Sequence, residues 1–163
     1  MNTGELVENF IMEDIPFAKL KGIYQYWLDI KADRDMPSRA DFNPVDIPNL
    51  LAHVSLVDVE HGTGRYKFRL IGTETVRAMG FEPTGQYLDE NPLIMEHLKP
   101  RYDWLVQNKN PYVVTDKLNW SENSFLRVFS VGLPLGNSAG QVEILLFGSV
   151  YTLSKDQAGA SPL

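Results

Sequence analysis

Between Pro16 and Lys31 apolar side chains recur every three or four positions, at Phe17, Leu20, Ile23, Tyr24, Trp27 and Leu28. That spacing predicts a helix, and Pro16, with its fixed φ and missing N–H, suits the first turn. Tyr26 and Ile30 carry the apolar face past a single stripe, so the helix is expected to touch two surfaces: its own sheet and a second one. From Asp33 to Pro48 the periodicity stops. Pro37, Pro44 and Pro48 among charged residues exclude a regular helix and predict an extended connector.

The period then drops to two. Val54, Leu56, Val57 and Val59 stand among Ser55, Asp58 and Glu60; after the turn residues His61 to Gly64, Tyr66, Phe68 and Leu70 alternate with Arg65, Lys67 and Arg69. This is a hairpin pattern. Gly72 stops it, Thr73 is placed to cap a helical stretch from Glu74 to Met79, and Gly80 is placed to end that stretch. Phe81 to Pro92 is irregular, with Gly85 as a turn. Leu93 to Gln107 returns to helical spacing through Ile94, Leu98, Tyr102, Leu105 and Val106, with Pro100 as a kink or restart. Three further strands are predicted at Tyr112 to Leu118, Phe125 to Leu133 and Val142 to Leu153. Their links, Trp120 to Ser124 and Leu135 to Gly140, are short enough to make them antiparallel neighbours. The expected class is α+β, an antiparallel sheet with helices on one face, divided into a helix and connector (1–48), a core (49–153) and a small polar flexible tail (154–163).

Composition narrows the function. A chain of 163 residues with 44% hydrophobic content makes one domain able to bury a core, and the absence of Cys removes disulfides, thiolate zinc sites and a thiol nucleophile. The acidic balance, a net charge of -6, disfavours nucleic acid and anionic lipid as partners. Glu5 and Glu8 stand where a secretory leader carries basic residues, and no apolar run approaches a membrane span. A cytoplasmic location is expected.

Several short motifs, in order, have a familiar look: Met36-Pro37-Ser38-Arg39-Ala40-Asp41-Phe42-Asn43-Pro44, Ile47-Pro48-Asn49-Leu50-Leu51, Leu56-Val57-Asp58-Val59-Glu60, Arg69-Leu70-Ile71-Gly72-Thr73 and Gly80-Phe81-Glu82-Pro83-Thr84-Gly85. Together they resemble a bacterial family of short, stand-alone PAS-like proteins, over roughly residues 17 to 152. The resemblance implies a PAS-like five-stranded sheet in the order 2-1-5-4-3 and a sensing or docking role. It implies no catalytic residues. PAS domains commonly pair through a helix that flanks the sheet, which makes Phe17, Leu20, Tyr24, Trp27 and Leu28 the expected homodimer helix.

Candidate chemistry is sparse. Gly136-Asn137-Ser138-Ala139-Gly140 fits the hydrolase nucleophile-elbow pattern, but it joins two strands, and His53, His61 and His97 all precede it. A hairpin loop is expected. No two histidines have metal-ligand spacing, so no metal site is expected. His97 lies in the helical region that supplies the axial ligand in haem-binding PAS domains, yet it sits between Glu96 and Lys99 like a solvent-facing residue, and haem is not expected. Asp58 with Glu60, Asp89 with Glu90, and Glu13 with Asp14 read as surface charge. The sequon Asn119-Trp120-Ser121 has meaning only in a secreted chain.

A pocket remains. In the fourth strand Leu126, Val128, Ser130 and Gly132 share one face and Arg127, Phe129, Val131 and Leu133 the other, so both faces are expected to be covered. The small residues leave room beneath the crossover helices. Parity and the resemblance together place Val57, Phe68, Leu70, Met79 and Tyr102 around that space, with Val128, Ser130, Ile144 and Leu146. The expected function is a non-catalytic sensory or signalling module that binds an unidentified small molecule, docks on a signalling protein, or both. The alternatives are a small enzyme using the same cavity and a structural adaptor with a filled core.

Overall fold

The computed structural model describes residues 4–118, 123 and 125–153; the expected tail 154–163 and the sequon lie outside the described residues. Every strand pairing is antiparallel, within one sheet. β1 (Val54–Glu60) and β2 (Arg65–Leu70) form the expected hairpin, and β3 (Tyr112–Lys117), β4 (Leu126–Gly136) and β5 (Val142–Leu153) form the expected meander. β5 inserts beside β1, giving the order β2-β1-β5-β4-β3. Residues 136–140 form the β4–β5 turn, closed by Asn137 N–H donating to the Gln141 carbonyl at 2.9 Å and by Gly140 at φ +77°.

The helices divide between the faces. α2 (Thr73–Met79) and α3 (Pro92–Asn108) cover one, where Val57, Phe68, Val128, Leu145 and Phe147 meet Met79, Ile94, Tyr102 and Leu105. α1 (Ala18–Lys31) covers the other, where Leu20, Ile23 and Trp27 meet Val131, Leu133, Ile144 and Leu146. It crosses the sheet at Gly148, where a Cβ would lie 2.9 Å from Ile23 Cδ1 and 3.1 Å from Leu20 Cδ2. Its far half is fixed by the buried Trp27 indole N–H, which donates to the Pro134 carbonyl at 2.9 Å. α3 continues through Pro100 without interruption.

Three local expectations change. Gly72, not Thr73, is the N-cap of α2; its N–H donates to Ser55 Oγ at 3.3 Å, and a Cβ there would lie 2.6 Å from the Ala52 carbonyl oxygen, so only glycine fits. The connector is not extended. It carries single 3-10 turns at Arg39–Asp41 and Pro44–Asp46, because Asp41 Oδ2 accepts from the Ser38 N–H at 2.8 Å and Asn43 Oδ1 from the Val45 N–H at 3.1 Å, satisfying locally what a helix would satisfy along its length.

The connector also folds back on α1. Tyr26 lies edge-on to Phe42, accepts from the Asn43 N–H at 3.0 Å and donates to Asp46 Oδ2 at 3.1 Å. On the other flank Phe10 packs on Tyr24, with ring centroids 5.0 Å apart. Ahead of it, Val7 bridges Val113 on the β3 edge. The surface expected to pair two subunits is therefore partly covered by the chain itself: Leu20 and Trp27 are buried, while Phe17, Tyr24 and Leu28 stay half-buried.

Gly148→Ala should destabilise the fold by about 1–3 kcal/mol through overpacking against α1. Trp27→Phe should cost about 1–3 kcal/mol by leaving the Pro134 carbonyl buried without its donor. Both changes loosen the same helix, so urea unfolding of the double variant should show less than the sum of the two; strict additivity would mean that α1 docks at the two points independently.

Candidate functional site

A cavity of about 70 Å³ lies between the sheet and the α2–α3 cover. Its floor comes from the three central strands and β3: Ser55 and Val57, Ser149 and Tyr151, Val128 and Ser130, Tyr112 and Val114. Thr75 and Met79 of α2 and Leu98, Arg101 and Tyr102 of α3 close it, with Phe68, Ile71 and Phe147. Room exists because the strands present short side chains there. Gly132 is the limiting case: a Cβ on it would fall 2.6 Å from the Tyr112 ring, which sits on that backbone.

Hydroxyls converge on this space. Ser130 and Ser149 face each other across β4 and β5 with their Oγ atoms 2.9 Å apart. Tyr151 donates to Thr75 Oγ1 at 3.0 Å, and Ser55 Oγ accepts the Gly72 N–H. Tyr102 stacks on Phe147 and meets Tyr66 edge-on, at centroid distances of 5.0 and 5.3 Å. At one end Arg101 makes an ion pair with Asp116 of β3, each side chain only about a tenth exposed (12% and 10%). Burial of such a pair costs desolvation that its own attraction only partly returns, so its placement on a cavity wall is not explained by stability alone.

Burial is the first cause of the raised phenol pKa values here. It raises Tyr102 well above 10.0, helped by neighbouring phenols and opposed by the Arg101 charge; it raises Tyr112, again against Arg101. It raises Tyr151 to about 12, against its hydrogen bonds with Thr75 and Ser149. Tyr66 is raised by burial and by its hydrogen bond to Asp103 at 2.5 Å.

Six of the nine residues predicted for the pocket line this cavity: Val57, Phe68, Met79, Tyr102, Val128 and Ser130. Ile144 and Leu146 do not; they face α1, and their neighbours Leu145 and Phe147 take the inner side. The run Ile144-Leu145-Leu146-Phe147 is apolar on both faces, so alternation cannot assign its parity. Leu70 is displaced by a register shift: Val57 pairs with Phe68 but Leu56 with Leu70, so Leu70 follows Leu56 and is 37% exposed. Thr75, Arg101, Tyr112, Ser149 and Tyr151 were not foreseen. Ser55 was legible, two residues before Val57 on the same face.

The remaining candidates are placed elsewhere. His53 and His61 point Nδ1 and Nε2 at the Ser149 and Val142 carbonyl oxygens, at 3.1 and 2.7 Å; a carbonyl only accepts, so each of these nitrogens carries the proton. His97 does not line the cavity, and about 70 Å³ is far below the volume of a porphyrin. Asp58 pairs with Arg69 and Asp89 with Arg65, each at 2.7 Å on the surface. Among the described residues no group of three or more His, Asp or Glu side chains is disposed to hold a metal ion, and no helix is long and apolar enough to cross a membrane. A wider cleft of about 1000 Å³ lies between Arg34 to Ser38, Asn108 to Asn110 and the β4–β5 turn, but it is an open depression with mixed charge.

The raised phenols set a pH dependence. A phenol whose pKa is higher folded than unfolded stabilises the fold fully below pH 10.0 and loses that contribution as pH climbs through the folded value. Melting temperature should hold between about pH 7 and 9 and fall steeply from 10 to 12; for Tyr151 the loss is on the order of 2–3 kcal/mol. Tyr151→Phe should make that alkaline limb shallower, and an unchanged limb would show that Tyr151 ionises without unfolding.

Comparison with known proteins bears on the fold. A family model described as a PAS domain matches residues 17–92. Among solved structures the chain is similar to an RNA-binding light-oxygen-voltage receptor, at 15% identity and a TM-score of 0.43, covering 69% of this chain and 34% of that one. It therefore spans about a third of that receptor's length. It is also similar to a sensory box histidine kinase/response regulator from Burkholderia thailandensis E264, at 17% identity and a TM-score of 0.43, covering 71% of this chain and 88% of that one. No curated protein matches the sequence. The strand order β2-β1-β5-β4-β3 and the helical crossover between the second and third strands give this chain a PAS-like fold, and the family match over residues 17–92, just under half of its length, is a likeness to PAS domains in sequence as well.

Proposed function

We propose that this chain is a sensory or signalling module that works without catalysis by admitting a very small polar molecule into the cavity beneath its sheet. One observation carries the reading: the hydroxyls of Ser55, Ser149 and Ser130, from three adjacent central strands, line an interior space together with those of Thr75 and Tyr151. A core selected only for stability would place methyl groups there, since each buried hydroxyl must find partners to offset its desolvation. The walls named by the structure offer hydroxyls, aromatic rings and one guanidinium, with neither carboxylate nor imidazole for acid–base chemistry. The space, about 70 Å³, suits a few waters or a ligand of a few heavy atoms, well under the roughly 300 Å³ of ordinary ligand sites.

The strands that line the cavity on one face carry α1 on the other. Phe147 and Ser149 look into the cavity, and Gly148 between them touches Ile23 and Leu20. A ligand that shifts β5 shifts the seat of α1, and a signalling partner would read that helix and the connector over it. A cysteine-free chain of this kind fits the cytoplasm.

Ser130→Leu fills the cavity and tests the reading. The low-molecular-mass fraction of a cell extract should raise the melting temperature of the unaltered protein and leave that of Ser130→Leu, folded by circular dichroism, unmoved. If neither protein responds, or both respond equally, the cavity is not a ligand site and the module acts by docking alone.

A further inference from the structure

Resting on that reading of the cavity, we infer that its ligand is a small carboxylate, of the size of acetate, held by Arg101 and the phenols of Tyr102 and Tyr112. The argument is an inventory of donors and acceptors. The Ser130 and Ser149 hydroxyls hydrogen-bond each other, and Ser149 also reaches the Tyr151 phenol. Thr75 accepts from Tyr151 and Ser55 accepts from the Gly72 N–H, so each retains its own O–H as a donor. Arg101 spends one terminal nitrogen on Asp116, and its other N–H groups have no partner among the described residues.

The two phenols are the sharpest feature. Tyr102 and Tyr112 are 5% and 2% exposed, both line the cavity, and neither hydroxyl makes a hydrogen bond to a described residue. Buried polar groups left without a partner are rare in native folds, and those that occur call for a reason. The Arg101 charge reaches both, since it opposes the effect of burial on each. Asp116, the only carboxylate paired with that guanidinium, is not part of the wall.

A hydroxyl can donate or accept, so the group that decides the ligand's character is Arg101, whose free N–H groups only donate and carry a positive charge; they call for an acceptor-rich anion. A carboxylate has no donor to place and accepts about four hydrogen bonds. Val57, Phe68, Met79 and Phe147 supply apolar wall for a methyl group. Phosphate or sulfate, with more charge and no apolar part, would bury two negative charges against a single guanidinium already shared with Asp116.

The probes are sodium acetate, acetamide and inorganic phosphate at matched ionic strength, read by thermal shift and by calorimetry on the full chain. Acetate should bind saturably at roughly millimolar concentration or tighter, at least tenfold better than acetamide, and not at all to Ser130→Leu. Tyr112→Phe and Tyr102→Phe, which remove only an orphan hydroxyl, should leave the melting temperature of the free protein unchanged or higher while weakening acetate at least fivefold. That combination separates a ligand contact from a structural one. Arg101→Lys should weaken acetate further, and the phenylalanine variants keep the test decisive if that protein fails to fold. Acetamide binding as well as acetate, and lost in Ser130→Leu, would overturn the carboxylate assignment and leave the cavity reading standing. Phosphate or chloride matching acetate, with Ser130→Leu responding alike, would mean a general salt effect and overturn it. Acetate without effect would overturn it too, while the extract experiment still judges the cavity on its own.

Discussion

β4 and β5 have no face toward water. Leu126, Val128, Leu145, Phe147 and Tyr151 are buried on one side, and Phe129, Val131, Leu133, Ile144, Leu146 and Val150 on the other. Two long strands apolar on both faces must be covered twice. One cover is α2 and α3, inserted between the hairpin and the meander; the other is α1, which the chain lays down before the sheet exists in sequence. A fully apolar side chain taken out of water contributes roughly 1.5–3 kcal/mol, so neither cover is dispensable to so small a domain.

The double cover also determines where polar groups are tolerable. On the α1 side the packing is apolar and close enough for Gly148 to be needed under Ile23 and Leu20, and the Trp27 indole hydrogen-bonds a strand carbonyl. On the α2–α3 side the same strands place serines at Ser130 and Ser149, and the shortfall in volume becomes a cavity. The two faces therefore differ in kind: one is apolar and closely packed, the other carries hydroxyls around an internal space. The buried Arg101–Asp116 pair belongs to the second face and ties α3 to the β3 edge of the sheet there.

Much of this was readable in the order of residues. The five strands and three principal helices stand within a few positions of where period two and period 3.6 put them, and the cavity face of β4 follows from its alternation of small and large residues. The errors have a common origin. Ile144 and Leu146 were assigned inward because β5 is apolar at every position from Ile144 to Phe147, and Leu70 because a one-residue register shift between β1 and β2 leaves no trace in hydropathy. The surface expected to pair two subunits is partly covered by Phe10 and by the connector, through contacts such as Tyr26 with Phe42 that join residues far apart in the chain.

The sequence by itself determined the elements, because backbone period and turn chemistry act over a few residues: Gly80 ends α2 at φ +84°, and the glycine-rich segment at 136–140 makes a hairpin. It also determined the likeness to PAS domains through motifs read in order. Only the tertiary structure decided which face of β5 turns inward, that other parts of the chain pack over part of α1, and that Arg101, Tyr102 and Tyr112 meet at one cavity. Those outcomes depend on pairing register and on contacts between residues far apart in the chain, and a code with a period of two or 3.6 residues carries no information at that range.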